Sequence, residues 1–378
     1  MEVLVQFAHT LGWFLVVLTI VVFFHELGHY SIARLCGVRV DVFSIGFGRE
    51  MLGYTGNSGT RWKVGLIPLG GYVKFFGDAG VASNQDTNLQ QQMTDEEKEI
   101  SFHHKKLTQK MAIVSAGPIA NFVLAILILT SVFIISGRPH TPPVIGKVVE
   151  GSAAASAGLK VGDKIVKIDQ TEIKRFEEIR DIVIFSPDRV LNLLVIRDGA
   201  EINLLATPRL SDVTDSLGNV HQIGLLGIGV GAREYKRLSL GSAITAAMGE
   251  TYGLVQQILQ GLGQILTGSR SAQELGGPLL IAQMSGEQAS NGPLSFLSFI
   301  VFLSVTLGLI NLFPIPVLDG GHLLFYGLEA IRGRPLGPRT QEYVYFFGLA
   351  FILSLMIFTT VNDLSRPAVV EFFSGLIG

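Results

Sequence analysis

The sequence predicts a polytopic α-helical membrane protein with four transmembrane helices, a membrane-associated β-hairpin and one β-rich α+β domain outside the bilayer. Three observations carry this prediction. Of 378 residues, 48% are hydrophobic and only 16% charged, with a mean hydropathy of +0.45, a balance too apolar for an average soluble domain. Four apolar runs, near residues 10–32, 111–135, 295–318 and 342–361, reach the roughly 20 helical residues that a hydrocarbon core of about 30 Å requires. Between the second and third runs the pattern changes to short β-rich stretches around Ser/Ala-rich turns.

Residues 1–36 hold the first helix. Its apolar run is too long for a signal peptide, lacks a basic leader and precedes no small-residue cleavage pattern, so it is expected to be retained. Residues 37–110 follow, with "VFSIGFGRE" and "RWKVGLIPLGGYVKFFGD" alternating apolar residues with turn signals. They read as a β-hairpin, although two loops of a small lid fit the same periodicity. The polar stretch 83–110 reads as a flexible loop, and 111–136 as the second helix. The β-rich domain takes residues 137–210. Residues 211–293, including "YGLVQQILQGLGQIL", read as amphipathic connecting helices on the outer membrane surface or between that domain and the spans. Glu250, Gln256, Gln257 and Gln260 argue against a fifth crossing there. The third helix and a short loop occupy 294–341, and the fourth helix and a tail 342–378.

Charge placement orients the chain. Arg34, Arg39, Arg49, Arg61, Lys63, Lys74, Lys98, Lys105, Lys106 and Lys110 lie between the first two spans, and Arg332, Arg334 and Arg339 between the last two. The positive-inside rule puts both loops in the cytoplasm. The first nine residues carry no Lys or Arg and the tail only Arg366, which places both termini and the β-rich domain on the opposite side, the periplasm of a Gram-negative cell. A net charge of −2 gives no polybasic footprint and excludes nucleic acid as the expected partner. The single cysteine, Cys36, excludes an internal disulfide and a Cys-rich zinc site.

Within the first span lies "FFHELGHYS", residues 23–31. Ionisable side chains near the bilayer centre each cost roughly 2.5 to 3.5 kcal/mol, so this trio demands a function. His25 and His29, four apart, share a helix face where both imidazoles reach one metal, with Glu26 beside it as a general base for the attacking water. A catalytic zinc takes three protein ligands. The third is expected from "INLFPIPVLDGGH", residues 310–322, where Pro314 and Pro316 break the helix. Irregular backbone at membrane depth is tolerated where it lines a protein or watery cavity. Asp319 is the best donor there and His322 its competitor.

The stretch "SAAASAGLKVGDKIVKID" resembles the bacterial PDZ signature, in which a small-residue helix and Gly158-Leu159 precede a strand closing with Gly162-Asp163 and Ile165. That resemblance implies one PDZ domain binding an extended peptide or substrate ectodomain. HELGH, "AGPIAN" at 116–121, the PDZ unit, "NLFPIPVLDGG" and "NDLSR" together resemble the site-2 protease family of intramembrane zinc metalloproteases over nearly the whole chain. The resemblance implies one Zn2+ on His25, His29 and Asp319, catalysis by Glu26, and substrate or transition-state contacts from Asn311 and Asn121. It also implies that the hairpin, through Gly71 and Tyr72 of its "GGYVKFFGD" arm, pairs with unwound substrate. Substrates would be single-pass proteins of a bacterial cytoplasmic (inner) membrane, namely anti-sigma factors after a first periplasmic cut and remnant signal peptides, cut near the cytoplasmic side. Better-known enterobacterial members carry two tandem PDZ units, whereas one is visible here. A catalytically inactive PDZ scaffold and a zinc transporter are the rival classes. Intact Glu26 argues against the first, and the nearly apolar second and fourth spans against the second.

Overall fold

The first helix fills its expected interval and extends beyond both ends of the apolar run near 10–32: α1 runs Glu2–Leu35. The computed structural model describes residues 2–78, 93–214, 220–231, 234–268, 271–334 and 337–365. Four helices among them are long and apolar enough to cross a membrane, over Val5–Leu35, Leu107–Ile135, Pro293–Asn311 and Arg339–Leu364. The chain divides into two units, one of Met1–Thr130 with Ile244–Gly378 and the other Ser131–Ala243.

In the larger unit, β1 (Val40–Thr55) and β2 (Arg61–Phe75) pair antiparallel, yet they are more than a plain hairpin. Val42 faces both Lys74 and Arg61, Ser44 both Tyr72 and Lys63, and Ile45 both Gly71 and Val64. The first half of β1 therefore lies between the two halves of β2, and the second half of β1 forms an outer edge. Both strands turn back at glycines of positive φ, Gly46 and Gly48 in β1 and Gly70 in β2, conformations that cost other residues a Cβ clash. Phe43, Val73 and Phe75 on this sheet are buried with Ala33 of α1 and Ile113. Met51, Leu52 and Tyr54 on the outer edge stay exposed.

The polar stretch 83–110 departs from a flexible loop. Residues 79–92 lie outside the described residues, but α2 (Asp95–Ile100) follows with a capping box in which Thr94 and Glu97 satisfy each other's backbone amides. Next, α3 (Leu107–Ile135) carries Pro118 in its interior.

The smaller unit is built on the sheet order β6-β5-β7-β8, in which β5 (Lys164–Ile168), β6 (Thr171–Glu172), β7 (Leu191–Arg197) and β8 (Ala200–Ala206) pair antiparallel. Its other strands are β3 (Arg138–His140), β4 (Ile145–Val148), β9 (Arg209–Thr214), β10 (Val220–Leu225), β11 (Ile228–Val230) and β12 (Glu234–Lys236). Two helices complete it, α4 (Ala153–Ser156), opened by the Ser152 side chain, and α5 (Phe176–Ile184). Ile145, Leu159, Ile165, Ile179, Leu193 and Leu226 share its core. The Asp163 of the PDZ-like motif is structural. Burial alone would raise its carboxyl, but two Arg197 hydrogen bonds of 2.7 Å and the Lys160 amide hold it below the ordinary carboxylate range.

The boundary at 210 is corrected by this unit. β11 pairs with β4 and β12 with β3, and the Ala154 amide donates to the Leu226 carbonyl. β9 to β12 therefore close the PDZ-like unit, because without them β4 would keep an unpaired edge and Leu226 would leave the core. Two helices fill the rest of the interval 211–293: α6 (Leu240–Leu266) and α7 (Pro278–Ser290). α7 does not lie on a surface. It packs against α1 and the following helix, and Asp363 of the last helix accepts the amides of Gly277 and Leu280 at its N-terminus, both at 3.0 Å.

The third span, α8 (Pro293–Asn311), ends at Asn311 rather than near 318. What read as a short loop is largely a helix, α9 (Asp319–Arg332), and α10 (Pro338–Leu364) forms the fourth span. The tail beyond Ser365, including Arg366, lies outside the described residues.

Candidate metal centre

One helical turn separates His25 from His29, so both rings leave α1 on one face. Their Nε2 atoms are 3.2 Å apart. The chain between α8 and α9 delivers Asp319 to the same point, with Oδ2 3.2 Å from His25 Nε2 and 3.5 Å from His29 Nε2. One ligand atom from each of the three lies within 4.8 Å of the others.

The backbone that delivers Asp319 is strained. Leu318 N–H donates to Ile315 O at 3.1 Å, closing a turn through Pro316 and Val317. Val317 has φ +84°, where a type II turn ordinarily places glycine; a β-branched residue there costs about 1–2 kcal/mol. Such strain persists where its surroundings over-determine it, characteristically at functional sites. Asp319 then opens α9, where the helix dipole favours a carboxylate.

Several features show that the trio fits a metal. Asp319 Oδ2 is buried with the two Nε2 atoms 3.2 and 3.5 Å away, and a cation held between the three atoms would compensate the burial of a carboxylate oxygen. His29 Nδ1–H donates to the Ile113 carbonyl at 2.9 Å, which leaves the Nε2 lone pair facing the trio. Gly117 leaves the rings their room: a Cβ there would meet His29 Nε2 at 2.2 Å and His25 Cε1 at 2.9 Å. Two imidazoles and one carboxylate are the donor set of a catalytic zinc with an open position.

Glu26 projects beside this face toward the sheet. Gly71 is close enough that a Cβ on it would sit 3.1 Å from Glu26 Cγ. Tyr72, the next residue, stacks on Phe47 with centroids 6.0 Å apart. Among the described residues, no strand pairs with the other edge of the Gly71–Phe75 arm. Asn311 ends α8, half-buried.

One competing reading and one expected contact are placed differently here. His322 is not in the trio; its ring bonds the Tyr345 hydroxyl, 3.0 Å from Nδ1. Asn121, expected to touch substrate, is fully buried, and its side-chain amide lies 3.2 Å from His25 Nδ1. Sequence reasoning passed over Gly117, although it stands in the quoted "AGPIAN", and over the Ile113 carbonyl, which no side-chain motif announces.

A family model described as peptidase family M50 matches residues 13–355. The chain is 44% identical over 356 residues to "Putative zinc metalloprotease Atu1380" of Agrobacterium fabrum, covering 93% of this chain and 94% of that protein. To "Metalloprotease MmpA" of Caulobacter vibrioides it is 40% identical over 386 residues, covering 96% of this chain and 97% of that protein. Among solved structures, the PDZ domain of the SdrC-like protein from Listeria innocua aligns with 25% of this chain and 98% of its own length, at 17% identity and a TM-score of 0.20, a score too low to carry an argument.

Proposed function

The chain belongs to peptidase family M50, and from that footing we propose that this zinc metalloprotease cuts a peptide bond within or beside the transmembrane segment of single-pass membrane proteins. The observation that carries the reading is the convergence of His25, His29 and Asp319 within 4.8 Å, contributed by a helix long and apolar enough to span a bilayer and by the broken end of another. When bound, zinc supplies Lewis acidity, polarising a carbonyl and making water acidic near neutral pH.

The chain's own residues do the rest. His25, His29 and Asp319 hold the ion, with Ile113 fixing the His29 ring. Glu26 takes the proton of the attacking water and passes it to the leaving nitrogen. The Asn311 amide donates to substrate carbonyls or the developing oxyanion. A transmembrane helix hides its peptide bonds in internal hydrogen bonds, so it must unwind before it is cut. The unpaired edge of Gly71–Phe75, which runs past Glu26, offers replacement partners by strand addition. Gly71 and Tyr72 lie on that edge.

The charge distribution supports a topology with both termini and the PDZ-like unit in the periplasm and the metal site near the cytoplasmic face of a bacterial inner membrane. In this reading the PDZ-like unit binds a peptide or substrate ectodomain, and the substrates are anti-sigma factors after a first periplasmic cut and remnant signal peptides. The test is mass spectrometry of membrane peptides in cells carrying Glu26→Gln. Single-pass fragments with shortened ectodomains should accumulate over wild type; an unchanged membrane peptide profile refutes the substrate class.

A further inference from the structure

A fully buried amide touching a metal-binding ring needs an explanation of its own. Asn121 has no exposed surface, so its role lies in what it touches. Its backbone carbonyl accepts the Ser304 hydroxyl of α8 at 2.9 Å, and Ser304 is equally buried. α8 also closes on the same turn of α3: a Cβ on Gly308 would lie 3.0 Å from Pro118 O and 3.2 Å from Asn121 Cβ. The side chain is thus held from two helices, with its amide 3.2 Å from His25 Nδ1.

The orientation of that amide decides which ring nitrogen of His25 carries the proton. With Nδ2 toward the ring, Asn121 Oδ1 is buried without a partner. That orientation also makes His25 Nδ1 an acceptor, which puts the ring proton on Nε2. Nε2–H then faces Asp319 Oδ2 at 3.2 Å and has no lone pair for a metal. Turning the amide about its last bond exchanges oxygen and nitrogen within the same space. Oδ1 then accepts His25 Nδ1–H, and Nε2 presents its lone pair to the trio.

We infer that Asn121 is a positioning residue for the metal: its side-chain oxygen selects the His25 tautomer that can bind zinc, as the Ile113 carbonyl does for His29. His25 and His29 would then each be oriented by a different acceptor on α3, one a side chain and one a backbone carbonyl. The inference rests on the zinc metalloprotease reading.

The test compares zinc affinity of the purified full chain by chelator competition, with cobalt substitution as a spectroscopic check on the ligand set. Asn121→Leu keeps the volume and removes the acceptor. Asn121→Asp keeps the acceptor and makes a carboxylate–histidine–metal arrangement. Loss of such an orienting partner typically lowers metal affinity about 10- to 100-fold. Asn121→Leu should show that loss, while Asn121→Asp binds zinc at least as tightly as wild type and keeps the cobalt spectrum. Equal affinity in wild type and Asn121→Leu, or a loss in Asn121→Asp as large as in Asn121→Leu, overturns the inference. If Asn121→Leu does not fold, Asn121→Asp alone decides: tight zinc supports the role and weakened zinc refutes it. A wild-type chain that binds no zinc would instead refute the underlying metalloprotease reading.

Discussion

Gly117→Ala adds one methyl group at the tightest point of the metal centre. The new Cβ would lie 2.2 Å from His29 Nε2 and 2.6 Å from His29 Cε1, against an ordinary contact of about 3.5 Å. Relief therefore requires the His29 nitrogen to move by about 1.3 Å, whereas a metal site tolerates ligand displacements of about 0.2 Å. The ring cannot simply swing aside, because Nδ1 is tied to the Ile113 carbonyl. Nor can α3 and α1 part cheaply, since Gly28 packs so closely that a Cβ on it would meet Ala116 O at 2.2 Å. Alanine favours a helix over glycine by about 1 kcal/mol, so the backbone of α3 itself should not be weakened. The expectation is a folded protein whose zinc affinity and cleavage rate both fall about 100-fold or more. Zinc affinity within threefold of wild type would refute the geometry assigned to His29.

Four further outcomes follow from other residues. Asp319→Ala should strip zinc from the purified chain, while His322→Ala, whose ring bonds the Tyr345 hydroxyl, should keep it; the reverse result in metal analysis would return the third ligand to His322. Val317→Gly relieves about 1–2 kcal/mol of strain but adds about 0.5–1 kcal/mol of unfolded-state entropy, so the folded state should gain between about 0 and 1.5 kcal/mol in thermal unfolding, and a loss of stability would contradict the strain. Asp363→Ala removes the acceptor for Gly277 and Leu280 and should lower stability by about 1–2 kcal/mol, read by denaturant unfolding; no change would contradict a capping role. Because the folded Asp163 carboxyl sits below its ordinary value, its contribution is present above an unfolded pKa of about 3.9 and is lost as pH falls through the folded value. Asp163→Asn should therefore flatten the acid limb of the unfolding profile, and an unaltered limb would show that the Arg197 pair is not its source.

What was legible in the sequence follows from how far each signal reaches. The four spans are long and apolar, and such runs declare themselves without tertiary information. HELGH is local, since helical spacing alone puts His25 and His29 on one face. Asp319 was legible because prolines and glycines around it mark a broken helix in an apolar setting. The rest depended on contacts distant in the chain. β11 joins the PDZ-like unit only because it completes the edge of β4, about 80 residues earlier, and its short Gly-rich sequence shows no alternation of its own. α2 did carry a local signal, the Thr94-to-Glu97 capping box, but the polar run around it read as a loop. The doubling back of β1 and β2 hangs on single glycines within strands that otherwise look continuous. Asn121 is the sharpest case, because motif reading assigned it to substrate and the packing of three helices turns it toward His25.

The central claim is that one zinc on His25, His29 and Asp319 works with Glu26 to hydrolyse a peptide bond. Wild type and Glu26→Gln should be purified in parallel, with zinc per chain and cleavage of a single-pass substrate measured on the same samples. Both should carry one zinc, and Glu26→Gln should cleave about 10^2- to 10^4-fold more slowly, the share a general acid–base usually supplies. Undiminished cleavage by Glu26→Gln, or an active wild type without zinc, would contradict the account.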